Sequence, residues 1–326
     1  MKILLKIASS LFLLACALPA MAACTVTPTL GANLGTVTSF TVNTTPSTVN
    51  TNFNVNCGSG LVVALLSTDT INIKMASTTA TSGSNAALPL GSDRIPFRIC
   101  FDNNCGSELL PSGNVHTLSR SQLLGLNIGG TSLVNFSIPL FIKTLPNAVV
   151  AAGTYISTTA IQVDYNVCTG IGALGLCLLG AQQNGTATLT LTTQIIITRD
   201  CTTLTTQPVT FGTAPLVSSF TTFSGNITVI CTKDSTYTVG ITNGQHAVGN
   251  QRYMISGSNL LAYQIYKGTG TTYWGPNGTD RQSSSGIAAN ADFITRVFPF
   301  NARILSTQNT PPAGSYTDTV SVDVSF

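Results

Sequence analysis

Hydrophobic and polar residues alternate along most of this chain, in short runs separated by Gly, Pro, Asn and Asp. The final run, Ser315–Phe326, places Val320, Val322, Val324 and Phe326 on one face, with Ser and Asp residues between them. Alternation of period two predicts a β-strand with one buried face. Because such runs recur through the chain, the sequence predicts an all-β protein built from immunoglobulin-like sandwich domains.

The alternating pattern occurs twice, so the chain contains an internal repeat. Phe53–Cys57 in the first half matches Ile227–Cys231 in the second, and Ala152–Tyr155 matches Ala313–Tyr316. These matches span each half, and together they predict two sandwich domains in tandem.

The first 23 residues have the pattern of a secretory signal, with two lysines, an apolar stretch and small residues at a cleavage site. Lipoprotein-like sequences ending at Cys16 and Cys24 leave N-terminal lipidation open as an alternative. We expect an exported protein. Its predicted divisions are a signal peptide at residues 1–23, a first domain at 24–198 and a second at 199–326.

The two copies differ at their ends. In the first, the chain continues into another alternating run, Thr186–Ile197, that would close the sandwich. The second has no such run after Ser315–Phe326, so we expect it to lack its last strand. An incomplete sandwich exposes a strand edge and an apolar groove that another chain can fill. A smaller, closed sandwich is the alternative. The residues predicted to line the groove are Val320, Val322, Val324 and Phe326.

The cysteines predict disulfides. Nine are present, and eight remain once Cys16 leaves with the signal; an even number in an exported chain is typical of disulfide pairing. Eight cysteines allow 105 pairings, but matching places in the two halves and short turn-like loops favour four of them. These are Cys24–Cys57, Cys100–Cys105, Cys168–Cys177 and Cys201–Cys231.

Composition argues against several functions. Removing Lys2 and Lys6 from the fourteen basic residues leaves twelve against eleven acidic ones, a net charge of +1 without a basic stripe. Nucleic-acid binding is therefore not expected. With two histidines and no Cys-x-x-Cys pair, we expect no metal site and no cofactor. The chain also lacks Gly-x-Ser-x-Gly and phosphate-loop motifs, so we expect no enzymatic activity.

The second half carries a set of residues that resembles a known family. They are Cys201, Phe211-Gly212, Arg252-Tyr-Met254, Trp274-Gly275 and Pro312–Phe326. On these residues the chain resembles the spore coat U-like pilins of archaic (Csu-type) chaperone–usher pili. The first half keeps the cysteines and the Gly-Thr-Tyr strand but lacks the Arg-x-Met and Trp-Gly elements. That divergence resembles the two-domain tip subunit of these pili, an adhesin domain followed by a pilin domain.

The resemblance implies a set of partners and a location. In this family an incomplete pilin domain receives its missing strand from a periplasmic chaperone and then from the N-terminal donor strand of the next subunit, at an outer-membrane usher. The chain would pass through the periplasm to the cell surface. Because Cys24 lies at the mature start, we expect no donor arm before it. A chain that accepts a strand without donating one is expected at the pilus tip.

Two apolar insertions distinguish the first half, one after Cys57 and one between Cys168 and Gly180. The corresponding loops of an immunoglobulin-like sandwich meet at one pole, and Gln122–Gly130 is expected to add a third loop. Exposed apolar loops favour adhesion to hydrophobic, abiotic or host surfaces, and with it biofilm formation. The predicted contact residues are Leu61, Val62, Val63, Leu65, Leu66, Ile171, Leu174, Leu176, Leu178 and Leu179.

Alternatives remain for both the surface and the function. Leu61–Leu66 has the composition of an ordinary buried strand, and the Cys168–Cys177 loop could also be buried. A glycan-binding tip would instead require an aromatic platform with acidic and amide partners. A self-assembling, spore-coat-like structural protein would be secreted stably without a chaperone.

Overall fold

The computed structural model describes residues 23–59, 65–130, 133–173, 176–178 and 181–326. Strands dominate this part of the chain, which confirms the all-β prediction. It divides into two compact units: the first holds most residues up to Ile195, and the second holds Ile196–Phe326 with Thr36–Thr45 and Asn147–Thr154. Among the described residues, no helix has the length and apolar character needed to cross a membrane.

The strands that precede residue 199 form their own sheets, here called the first domain. They are β1 (Thr25–Val26), β2 (Thr29–Thr38), β3 (Thr48–Ser59), β4 (Thr70–Thr78), β5 (Thr81–Ser82), β6 (Asn85–Leu90), β7 (Asp93–Cys100), β8 (Glu108–Leu109), β9 (Val115–Leu118), β10 (Leu133–Thr144), β11 (Gly153–Cys168), β12 (Ile171–Ala173), β13 (Leu176–Leu178) and β14 (Gln182–Thr198). Two short helices accompany them, α1 (Ser39–Thr44) and α2 (Arg120–Leu126).

Alternation along these strands builds a two-sheet sandwich. One sheet has the order β1-β3-β10-β7-β6-β5 with β8 against β7, the other β2-β14-β11-β4-β9, and β12 pairs with β13. In β10 every second side chain is fully buried, from Val134 to Ile142. That periodicity turns one face of the strand into the core.

The first domain closes itself. The strand β14, predicted at Thr186–Ile197, runs between β2 and β11. Its inward residues Leu189, Leu191, Ile195 and Ile197 are all buried. The alternating face of β14 therefore fills the position of a last strand within the same chain.

The second domain is a smaller sandwich. Its strands are β15 (Cys201–Thr206), β16 (Phe223–Cys231), β17 (Thr238–Ile241), β18 (Arg252–Ser256), β19 (Asn259–Lys267), β20 (Gln282–Ser283), β21 (Thr295–Ile304) and β22 (Val322–Ser325). Five form a sheet in the order β15-β16-β21-β19-β18, and three form the facing sheet, β20-β17-β22. The Tyr316 hydroxyl donates to the Pro312 carbonyl at 2.8 Å, a corner characteristic of immunoglobulin-like folds.

All four predicted disulfides are present: Cys24–Cys57, Cys100–Cys105, Cys168–Cys177 and Cys201–Cys231. Cys201 of β15 lies directly opposite Cys231 of β16 in the ladder, and Thr25, next to Cys24, pairs with Asn56, next to Cys57. The matching bonds thus fasten the first strand of each domain to its neighbour.

The last strand is shorter than predicted. Only Val322–Ser325 pairs as a strand with β17. Upstream, Thr317 forms an isolated bridge to Ile255 in β18, which belongs to the facing sheet. Ser315–Phe326 therefore crosses between the sheets before joining β17. The alternation of half-buried and exposed residues nevertheless continues from Tyr316 to Ser325, as the sequence predicted.

Candidate functional site

An open groove lies beside β22 in the second domain. β22 runs antiparallel to β17, with Val324 opposite Val239 and Val322 opposite Ile241. On its other edge, β22 pairs with no strand in the described parts of the chain. The groove has a volume of about 300 Å³. Its apolar lining includes Val209, Phe211, Ile227, Ile241, Met254, Ile265, Phe300, Val320 and Val322.

The first domain shows what occupies the equivalent position there. In the repeat, Val322 and Val324 correspond to Ile161 and Val163 of β11, which are both fully buried. β11 has β14 beside it. Val322 and Val324 are only half-buried, although they pack on the second domain's core. The groove thus lies on the edge that β14 covers in the first domain.

The opposite wall of the groove was not predicted from sequence. It includes Val209 and Phe211, from the segment after β15 that has no regular strand structure. A signal for it existed, because Phe211-Gly212 matches Leu34-Gly35 in the repeat. Leu34 lies on β2, the strand that flanks β14 in the first domain.

The four residues predicted to line the groove lie in three different environments. Val320 and Val322 line the groove. Val324 packs on the core without lining it. Phe326, which follows the last strand residue Ser325, is 56% exposed and lies edge-on to Tyr237, outside the described lining, so its role in the groove stays a prediction.

Charged and polar groups fix the groove's margins. The Tyr263 hydroxyl donates to Asp318 at 2.6 Å, and the Gln245 backbone amide donates to the same carboxylate at 3.0 Å. Burial, reinforced by this carboxylate, raises the pKa of Tyr263 far above its usual value.

On the outer face, Arg281 makes a bidentate contact with Asp323 at 2.7 and 3.1 Å. This pair holds β22 against β17, because Arg281 also donates to the Thr238 carbonyl of that strand.

A second candidate surface lies at one pole of the first domain. There the buried Asp69 accepts hydrogen bonds from the Leu66 amide at 2.8 Å and from Gln182 Nε2 at 3.1 Å. Gln182 also donates to Asn166 at 2.9 Å. This network joins the segment before β4 to the end of β11 and the start of β14. The described residues that flank the two insertions therefore meet at one end of the first domain.

The loop around α2 reaches the same pole. Leu133, where β10 begins, pairs with Ser59, where β3 ends. Asn127 bridges to Phe136 of β10, which ties the residues after α2 to that end of the strand. Two large apolar side chains of this loop are exposed, Leu124 at 43% and Ile128 at 62%. The third predicted loop thus contributes apolar surface.

The predicted contact residues have different outcomes. Leu65 and Leu66 are buried, so exposure was wrongly predicted for both; the hydrogen bond from Leu66 to Asp69 folds this segment onto the sandwich. Leu176 is 63% exposed, as a contact residue must be, and its contact with a surface stays a prediction. The predictions for the remaining seven fall outside the described residues or side chains: Leu61, Val62, Val63, Ile171, Leu174, Leu178 and Leu179.

Comparisons with known proteins agree with this architecture. The family model described as Spore Coat Protein U domain matches residues 10–162 and 186–323, one match in each repeat. No curated protein sequence matches the chain.

Three solved structures align with nearly the whole chain, and the first of them shares its fold. One is a chain of the CsuC–CsuE chaperone–tip adhesion subunit pre-assembly complex from archaic chaperone–usher Csu pili of Acinetobacter baumannii. It is 21% identical, with 93% of this chain and 100% of that chain covered and a TM-score of 0.53. The CupB6 tip adhesin of Pseudomonas aeruginosa is 11% identical, with 93% and 94% covered and a TM-score of 0.39. CfaE, the adhesive subunit of CFA/I fimbria of enterotoxigenic Escherichia coli, is 11% identical, with 91% and 92% covered and a TM-score of 0.31.

Proposed function

We propose that this chain, which belongs to the spore coat protein U domain family, is the tip adhesin of a chaperone–usher pilus. The observation that carries the proposal is the contrast between the two domains. The first has a strand of its own between β2 and β11, whereas the second has an apolar groove beside β22. A chain with one closed and one open sandwich is suited to bind a partner strand through the second domain only.

The groove suits an extended strand from another chain. Strand addition satisfies the free backbone groups of an edge, while pockets along the groove take alternate side chains. Most of the residues that line the groove are apolar, so the incoming strand would present alternating apolar residues. We assign this role first to a periplasmic chaperone and then to the N-terminal donor strand of the next subunit, added at the outer-membrane usher. The fold shared with a chain of a chaperone–tip adhesion subunit pre-assembly complex supports the chaperone as a partner.

The first domain would make the adhesive contact. Leu124, Ile128 and Leu176 expose apolar surface on loops at one pole. Each Å² of apolar area removed from water contributes about 25 cal/mol, so several such side chains would hold the tip on a hydrophobic or abiotic surface. The Cys168–Cys177 disulfide closes the loop that carries Leu176 and lowers the entropy lost when that loop binds. Export through the periplasm would place this surface outside the cell, where attachment begins a biofilm.

Attachment of piliated cells to polystyrene tests the adhesive surface. We expect Ile128→Ser with Leu176→Ser to remove most attachment, because both substitutions replace exposed apolar groups at the pole. The matched control is Ile156→Ser, which changes an apolar residue of 44% exposure near the opposite end of β11. Pilus number, counted by electron microscopy, should not change in either strain. Full attachment by the double variant would show that this pole is not the adhesive surface.

A further inference from the structure

A concave pocket lies on the first domain, away from the groove beside β22. It is bounded by the Cys100–Cys105 loop, β9, α2 and β10, and its volume is about 450 Å³. Leu118, Ile138 and Pro139 contribute apolar surface to its lining, and Ser107 and Gln122 contribute polar groups. A pocket of this size with a few convergent polar groups is typical of small-molecule sites.

Two aromatic rings form a platform in this pocket. Phe101 and His116 stack with their centroids 3.8 Å apart and their planes inclined by 14°. His116 Nδ1 shares a hydrogen bond of 2.7 Å with the Ser107 hydroxyl, which fixes the imidazole in its plane. Burial lowers the pKa of His116, which favours the neutral imidazole. In such a stack each ring covers one face of the other, so the platform offers an outer ring face beside a polar edge.

The loop that carries Phe101 is held in one conformation. The Cys100–Cys105 disulfide closes it. Inside it, the Asp102 carboxylate accepts hydrogen bonds from the backbone amides of Asn104, Gly106 and Ser107 at 2.9, 3.1 and 3.1 Å. These bonds lower the pKa of Asp102 and occupy its oxygens. Such a loop presents its side chains with little ordering cost on binding.

Hydrogen-bonding capacity remains at two lining residues. Oε1 of Gln122 accepts from the Ser119 amide at 2.9 Å, but Nε2 of Gln122 has no partner among the described residues. The same holds for Nε2 of His116 within the described chain. An amide donor and an imidazole nitrogen are thus available to a ligand that rests on the aromatic platform.

We propose that this pocket binds one ring of a neutral saccharide. A sugar ring offers C–H groups on its faces and hydroxyls around its edge, which match a stacked aromatic platform flanked by an amide and an imidazole. An anionic sugar would fit poorly, because the lining contributed by the described residues contains the Asp102 carboxylate and neither lysine nor arginine. The pocket would add glycan recognition to the hydrophobic contacts made by Leu124, Ile128 and Leu176.

Saturation-transfer NMR on the full-length exported chain tests the proposal. The neutral probes are glucose, galactose, mannose and N-acetylglucosamine, and N-acetylneuraminic acid is the anionic probe. We expect binding of at least one neutral sugar and none of the anionic one. Gln122→Glu keeps an oxygen for Ser119 but removes the amide donor, and Phe101→Leu keeps bulk but removes the ring. Each should weaken that binding about fivefold, the effect of one lost hydrogen bond or aromatic contact.

Two control variants make the result specific. Asn103→Ala changes an exposed residue of the same disulfide loop that does not line the pocket, and it should bind the sugar normally. Leu176→Ser should also bind normally, so a failure of hydrophobic attachment leaves this test unaffected. Stronger binding of the anionic probe, the absence of neutral-sugar binding, or unchanged affinity in either Gln122→Glu or Phe101→Leu would overturn the proposal.

Discussion

Arg252 connects the core of the second domain to the floor of the groove. It is fully buried and donates to the backbone carbonyls of Ile241, Thr242 and Trp274 at 2.7 to 3.0 Å. Its guanidinium also lies 5.3 Å from the centre of the Tyr273 ring. Ile241 pairs with Val322 and lines the groove. A single side chain thus holds β17 in the position that β22 needs.

Replacing Arg252 should destabilise the second domain strongly. Arg252→Met leaves several buried carbonyls without a donor, so we expect a loss of about 3 kcal/mol or more in the free energy of unfolding. Urea unfolding followed by fluorescence reports on this domain, because the chain's single tryptophan is Trp274. Arg303→Met, at a half-buried arginine, is the control and should cost less than about 1 kcal/mol. Equal losses in both variants would contradict this role for Arg252.

Tyr263 should make the second domain sensitive to alkaline pH. Its pKa is raised in the folded chain, first by burial and then by the Asp318 carboxylate. The folded state therefore keeps a proton that the unfolded state releases near pH 10, so stability present below about pH 10 falls as the pH rises further. The urea midpoint, measured by Trp274 fluorescence between pH 8 and 11, should decline less in Tyr263→Phe than in the native chain. Identical declines would assign the effect to other groups.

At the scale of elements, β11 and the segment that ends in β22 show how far alternation alone can predict structure. Period-two runs correctly indicated both, as well as the closing strand β14. Alternation does not specify which sheet a segment joins, so the bridge from Thr317 to Ile255 could not be predicted. An unbroken apolar run has no periodicity, so it does not indicate which of its side chains are buried. Leu65 and Leu66 were misassigned for that reason, since both are buried and the Leu66 amide donates to Asp69.

The closing strand β14 should account for much of the first domain's stability. Leu191 is fully buried on its inward face. Leu191→Ala removes buried methyl groups and leaves a cavity, which costs about 2–5 kcal/mol. Scanning calorimetry of the full chain should show a lower transition temperature for Leu191→Ala, and a shift of a degree or two at most for the exposed control Ile156→Ala. Similar transition temperatures for both variants would mean that β14 contributes little.

At the scale of the whole molecule, the internal repeat predicted more of the structure than the amino-acid composition did. Comparison of the two halves predicted the Cys24–Cys57 and Cys201–Cys231 disulfides and the closing strand, and it is the reason why we expect an incomplete second sandwich. It did not predict that Val209 and Phe211 form a wall of the groove. Their segment forms no strand, so no alternating pattern indicates which side of it faces the groove. The pocket at Phe101 and His116 was also missed. Residues distant in the sequence meet there only after the sandwich folds.

Photo-crosslinking from the groove is the most direct test of the central claim, that the second domain accepts a strand from another chain. A benzophenone amino acid would replace Val209 in the groove wall or, as control, Val248, which is 69% exposed and lies outside the groove. We predict that the Val209 variant crosslinks to the chaperone in the periplasm and to the next subunit in assembled pili, while the Val248 variant does not. A Val209 variant that stays soluble, monomeric and free of crosslinks would contradict the account.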